Sequence, residues 1–172
     1  MCISTHPFFR ETDFKKSLDC DRIAPMDCSP ITDTLYLGTT PESEDYNRLR
    51  DLGITLVINM RIEQRPHPDQ HNEPMRVIHY RTIDHPFLPI PMCVLEKGAS
   101  IALDEITSGG KVFVHCYGGR HRSVAMAASI LIAQGYTPED AMNLLKEKHD
   151  KADPGIWYIR KRILKFAKRW KK

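Results

Sequence analysis

The chain lacks the long apolar run that a membrane span would need: no stretch approaches the roughly 18 to 20 apolar residues required. Its opening segment, MCISTHPFFRETDFKK, is too polar for a secretory leader, so a cytoplasmic setting is expected, with the nucleus as the other compartment. It holds five cysteines, an odd number that cannot all pair, and no C-x-x-C unit. A disulfide scaffold is therefore not expected, and a reactive or buried thiol is. Eight histidines are present without the H-E-x-x-H spacing of a metalloenzyme, and His67 and His71 fall among Pro66, Pro68 and Pro74 in what reads as a solvated loop. Neither a metal nor a cofactor is implied. There is no internal repeat and no linker between two domains.

What remains is ordinary globular composition, 41% hydrophobic and 27% charged over 172 residues, enough to bury a core in one domain. Charge is unevenly placed. Of the 25 basic side chains, eight lie in 160–172 with no acid among them, so the rest of the chain has 17 against 22 acids. That asymmetry leaves two readings open: an anionic partner at the C-terminal helix, or a solvated helix face.

Residues 1–30 show no periodicity and read as an extension, with Phe8, Phe9 and Phe14 available for packing. From 31 the pattern is regular. ITDTLYLGTT (31–40) predicts a strand, and Thr40 before Pro41 and Glu42 predicts a helix start running through Leu49 and Leu52 to a stop at Gly53. ITLVINM (54–60), RVIHYRT (76–82) and KVFVH (111–115) predict strands, the first and last of the fully covered kind. Helices are expected over 92–107 with Leu95, Ala99, Ala102 and Ile106 on one side, and over 123–135, which is almost wholly apolar. Another starts at Thr137-Pro138 and ends near His149, and a last one from about Gly155 has Ile159, Ile163, Phe166 and Trp170 on one face. Strands alternating with helices predict an α/β fold: a mostly parallel sheet of four to five strands flanked by helices, in one domain over 31–172.

The segment with chemistry is VFVHCYGGRHRS (112–123): a buried strand, a glycine-containing turn, then a helix. Successive backbone N–H groups in such a turn, together with a helix N-terminus, make a site for a tetrahedral dianion. Tyr117, Gly118, Gly119, Arg120 and His121 form the cradle, and the Arg122 fork can hold two phosphate oxygens. Cys116 lies at the base, where a positive field favours the nucleophilic thiolate. Ser123 can donate to the sulfur when it departs, and His115 shapes the loop. A bare C-x5-R is a weak pattern. Adding His before Cys, Gly at the third loop position and Ser after Arg lowers chance occurrence to roughly one in ten thousand.

HCYGGRHRS resembles the H-C-x5-R-[S/T] signature of the protein tyrosine and dual-specificity phosphatases, and the resemblance extends over about 31–165. ITDTLYLG and DLGITLVIN are similar to the first strands of the small dual-specificity group, and the Y-G-G after the cysteine is similar to the loop of cyclin-dependent-kinase-associated phosphatases. The resemblance implies a protein tyrosine phosphatase-like fold, a phosphocysteine intermediate and an aspartate general acid. Asp84 in YRTIDHPF, 32 residues before Cys116, matches that pattern better than Asp69. Asn59 resembles a family asparagine that supports the phosphate loop. Where relatives carry a water-positioning Gln, this chain reads PGIWYIRKR, with Arg160 and Lys161. The expected substrate is a phosphoprotein bearing phosphotyrosine or phosphoserine/phosphothreonine, handled by a monomer. The alternatives are a non-protein anion (a phosphoinositide or an RNA 5′ phosphate) and a binding module without turnover.

Overall fold

A computed structural model describes residues 26–170. Five strands, β1 (Cys28–Pro30), β2 (Leu35–Gly38), β3 (Ile54–Asn59), β4 (Arg76–His79) and β5 (Lys111–His115), form one sheet in the order β1-β2-β5-β3-β4. All neighbours are parallel except β1, which pairs antiparallel with β2 at the edge. Five helices lie among the described residues: α1 (Asp45–Asp51), α2 (Met92–Thr107), α3 (Arg122–Ala133), α4 (Pro138–Lys148) and α5 (Trp157–Trp170).

Alternation along the strands sorts the core into two unequal layers. Leu35, Leu37, Leu56, Ile58, Val112 and Val114 face the larger one, covered by α2 to α5. Ile54, Val57 and Phe113 face the smaller one, closed by Tyr46 and Leu49 of α1. The apolar helix α3 is buried from Arg122 to Ile132. It passes close to α2 at Gly98, where a Cβ would meet the Met126 side chain at 2.3 Å. Each fully buried Met126 or Ile130 side chain contributes roughly 1.5–3 kcal/mol of burial energy.

Several boundaries follow the sequence closely. Gly53 (φ +77°) and Gly135 (φ +105°) stop α1 and α3 in left-handed conformations. The Thr137 hydroxyl caps α4, accepting from the Asp140 N–H at 3.1 Å, with Pro138 in the first turn. Leu95, Ala99 and Ala102 bury one side of α2 as expected. Three expectations are corrected. Thr40 does not cap α1, which starts at Asp45; its hydroxyl is engaged elsewhere, as described below. The strand expected over 76–82 ends at His79. β1 lies inside the stretch read as an extension, held by Thr39 and Asp27 across the edge. Phe8, Phe9, Phe14 and Cys20 lie outside the described residues.

The strand register fixes where the site must be. Gly38, His115, Asn59 and His79 are paired across β2, β5, β3 and β4, so the four parallel strands finish in one line. The loops that leave them therefore emerge at a single edge, the usual place for a ligand in an α/β sheet.

Candidate active site

Cys116 follows β5 directly and is 1% exposed, with Sγ 3.1 Å from the hydroxyl of Ser123 in the first turn of α3. Alternation points Cys116 toward the larger core layer and His115 to the opposite face. There His115 stacks on Phe113 with ring centroids 5.6 Å apart. Burial, and then the nearby Arg61 charge, push the His115 imidazole down to about 3, so it is neutral in the working range. Neither of its nitrogens has a hydrogen-bond partner among the described residues.

The turn 116–121 enters α3 with no side chain capping the helix at His121, so the first-turn N–H groups stay available to an anion. Gly119 is required where it stands. Its φ is +67°, and a Cβ there would lie 2.7 Å from His149 Nε2 and 3.2 Å from the Gly38 carbonyl. His149 is buried beneath the loop and within hydrogen-bonding reach (2.9 Å) of the Ser29 hydroxyl. The Arg120 carbonyl accepts from the Asp153 N–H at 3.1 Å, and the Thr40 hydroxyl donates to the Cys116 carbonyl at 3.3 Å. Tyr117 is 72% exposed at the rim, with the Arg61 guanidinium 5.1 Å over its ring.

Arg122 is 4% exposed and held in one orientation. Its Nη1 donates to both Glu63 carboxylate oxygens at 2.8 and 2.9 Å and to the Thr82 carbonyl at 3.1 Å. Burial works against ionising Glu63, but the Arg122 hydrogen bond and charge hold its carboxyl below the usual range. Nε of Arg122 is buried with no hydrogen-bond partner among the described residues, a donor left over beside the Cys116 loop. A fixed cation with a donor to spare suits a phosphoryl oxygen.

Asp84, in the loop after β4, reaches this cluster. Its Oδ1 accepts from the Tyr158 hydroxyl at 2.7 Å, and its Oδ2 lies 3.0 Å from His121 Nδ1 and 3.9 Å from Arg122 Nε. The Tyr158 hydroxyl is also 3.0 Å from His121 Nδ1. Burial first, and the Asp84 carboxylate second, push the Tyr158 phenol well above its ordinary value, so it remains a donor. Asp69 is far from this role. Burial opposes its ionisation, but the Met75 and His71 N–H groups and Arg50 hold its carboxyl below the usual range, as a clasp of its own loop.

The structure thus brings together Cys116, Arg122, Ser123, His121 and Asp84. Asn59 works one step removed: its Oδ1 accepts from the Arg61 N–H at 2.8 Å and its amide donates to the Gln64 carbonyl, ordering the loop after β3 instead of the phosphate loop. Arg160 and Lys161 are exposed on α5, and from the same segment it is Tyr158 that turns inward. Sequence reasoning missed Arg61, Glu63, Thr82, His149 and Tyr158. No local pattern marks the first four. Tyr158 had one signal, its place in the segment where a functional Gln was sought. Among the described residues no group of three or more His, Cys, Asp or Glu is arranged to hold a metal ion.

A strand-loop-helix cradle with a buried cysteine, an oriented arginine and an aspartate from a neighbouring loop defines a protein tyrosine phosphatase-type fold and site. Residues 35–168 match the family described as dual specificity phosphatase, catalytic domain, and the chain belongs to that family. Dual specificity protein phosphatase 1 of Arabidopsis thaliana is 28% identical over 134 residues, covering 77% of this chain and 65% of its own length. Dual specificity protein phosphatase 2 of Mus musculus is 27% identical over 144 residues, covering 81% and 42%. The chain therefore spans less than two thirds of either relative. Among solved structures, human DUSP28 superposes with a TM-score of 0.74 at 20% identity, covering 86% of this chain and 99% of that one. PTPMT1 in complex with PI(5)P superposes with a TM-score of 0.70 at 26% identity, covering 82% and 94%.

Proposed function

We propose that the protein is a phosphoprotein phosphatase that hydrolyses phosphotyrosine and phosphoserine/phosphothreonine through a phosphocysteine on Cys116. The observation that carries this reading is the Cys116 Sγ, 3.1 Å from Ser123 Oγ, at the floor of a loop whose Arg122 Nε has no hydrogen-bond partner among the described residues. The backbone N–H groups of 117–122 and Arg122 hold the phosphoryl oxygens. Cys116 Sγ attacks phosphorus and an S–P bond forms as the P–O bond to the substrate breaks. Asp84 gives its proton to the departing oxygen, then takes one from the water that attacks the phosphocysteine. Ser123 donates to the sulfur as it leaves. Tyr117, Gly118, Gly119, Arg120 and His121 line the entrance.

Dephosphorylation of a phosphoinositide is the second reading, favoured by one observation: the solved PTPMT1 complex holds PI(5)P on a similar fold. The cytoplasm, with the nucleus as the alternative, is the proposed setting. It is supported by Cys28, Cys93 and Cys116, none of which is bonded to another cysteine among the described residues. No described helix is long and apolar enough to cross a membrane.

The test is turnover of para-nitrophenyl phosphate and of matched phosphotyrosine and phosphothreonine peptides in EDTA, beside Cys116→Ser and Asp84→Asn. Turnover of both peptides, lost in the cysteine variant and cut by roughly 100-fold or more in the aspartate variant, is expected. Phosphoinositide turnover without peptide turnover would move the assignment to the second reading.

A further inference from the structure

Three depressions meet end to end between the phosphate loop and the last helix. The first is of mixed charge, lined by Arg120, Lys146 and Lys151 together with Asp150 and Asp153. The second shares Lys146 and Asp153 with it and adds Glu139, Gly155 and Arg160. The third shares Gly155 and Arg160 with the second and continues along α5 past Trp157, Lys161, Leu164, Lys165 and Lys168, enclosing about 600 Å³. The track thus begins on a residue of the cradle itself, Arg120, and ends on the basic helix.

The far end is built for a ligand with both charge and an apolar side chain. On α5, Ile159, Ile163, Phe166 and Ala167 are buried against the core, so Trp157, Lys161, Leu164 and Lys168 fall together on the opposite face. Trp157 is 58% exposed. Arg160, Lys161, Lys165 and Lys168 are exposed, none is paired with a carboxylate of a described residue, and no acid lines this part of the track. Arg160 to Lys168 covers about 12 Å along the helix, the length of roughly four extended peptide residues. The surface is concave. A flat bilayer cannot fill a groove whose apolar floor lies between lysines, whereas an extended chain can.

We propose that this track is a substrate-docking groove for an acidic peptide segment flanking the phosphorylated residue, with one apolar side chain seated against Trp157 and Leu164. Its inner end rests on the phosphatase reading above. Arg120 meets the residues next to the phosphorylated one, and the α5 cations meet carboxylates farther along. The groove selects among phosphoproteins by KM and leaves the chemical step alone.

Two phosphotyrosine peptides with the same core test this, one extended by an Asp/Glu segment containing a Leu, the other by Gly and Ser. The acidic peptide is expected to show a KM lower by roughly ten-fold with kcat unchanged. Lys161→Glu/Lys165→Glu/Lys168→Glu should abolish that advantage while para-nitrophenyl phosphate, too small to reach the groove, turns over as before. Binding of the acidic segment without its phosphate, followed by fluorescence anisotropy, keeps the two readings apart. Salt-sensitive binding lost in the triple variant supports the groove even if no phosphate is released, in which case the phosphatase reading alone fails. Equal KM for both peptides, or an advantage that survives charge reversal, overturns the proposal. So does lysine-dependent co-sedimentation with phosphatidylserine vesicles in place of peptide binding, or a doubled mass in solution that buries this helix.

Discussion

Tyr158→Phe removes the hydroxyl that donates to Asp84 Oδ1 at 2.7 Å and leaves the 3.0 Å contact with His121 Nδ1 in place. A hydrogen bond to a charged acceptor is worth about 1.5–3 kcal/mol net. With one of two side-chain ties kept, the loss of orientation is set at the lower end, a factor of about ten. The ceiling is the whole contribution of a general acid, roughly 10²–10⁴. The loss must depend on the leaving group. Phenolate leaves poorly and needs the proton from Asp84, while nitrophenolate leaves nearly unaided. The assay is kcat on phenyl phosphate and on para-nitrophenyl phosphate for the unmodified protein, Tyr158→Phe and Asp84→Asn. Tyr158→Phe should fall about ten-fold on phenyl phosphate and no more than about two-fold on the nitro compound, a smaller version of the Asp84→Asn pattern. An equal fall on both substrates would show damage to the fold, and no fall on either would show that Tyr158 does not position the acid. Either result refutes the reasoning.

Stability should fall as pH drops from 7 to 5. Burial holds His115 near 3 and also pushes His149 down, so below about 6.5 the unfolded chain takes up protons that the folded chain refuses. The cost fades above 6.5 and below it approaches a slope of about 1.4 kcal/mol per pH unit for each fully resisting histidine. Urea midpoints at pH 7 and 5 measure it, and a flat profile would contradict the burial of these rings. Gly119→Ala places a Cβ 2.7 Å from His149 Nε2 at φ +67°, so it should cost about 1–3 kcal/mol in thermal unfolding and most of the turnover. An unchanged variant would refute the close packing of loop on histidine. Peroxide should inactivate the enzyme and dithiothreitol restore it, because a thiolate is the oxidisable form. Burial pushes the Cys28 thiol up to about 11, so Cys28→Ser should leave the inactivation rate unchanged.

How far the sequence reaches depends on how local each feature is. KVFVHCYGGRHRS specifies its own strand, turn and helix start, because the turn needs only Gly119 at positive φ and the helix that follows is almost wholly apolar after Ser123. The alternation in β5 even separates Cys116 from His115. Thr40-Pro41-Glu42 looks like a helix cap, but the Thr40 hydroxyl bonds the Cys116 carbonyl and accepts from Arg61 instead, a tertiary use that no local pattern carries. β1 is three residues ending in proline and exists only because β2 offers it an edge. Glu63 and Arg61 stand in a Pro- and His-rich loop whose position depends on β3 pairing with β5. Tyr158 reaches Asp84 from 74 residues away. Such partners become visible only when the parallel strands finish in register.

The central claim is the phosphocysteine, and trapping it is the most direct test. Ser123→Ala removes the hydroxyl 3.1 Å from Cys116 Sγ and should slow breakdown of the intermediate more than its formation. After rapid quench with a phosphotyrosine peptide, mass spectrometry should find one phosphoryl group on the peptide that carries Cys116, preceded by a burst of tyrosine-peptide release. A variant that turns over substrate with no phosphoryl group on Cys116, or turnover that persists in Cys116→Ser, would contradict the account.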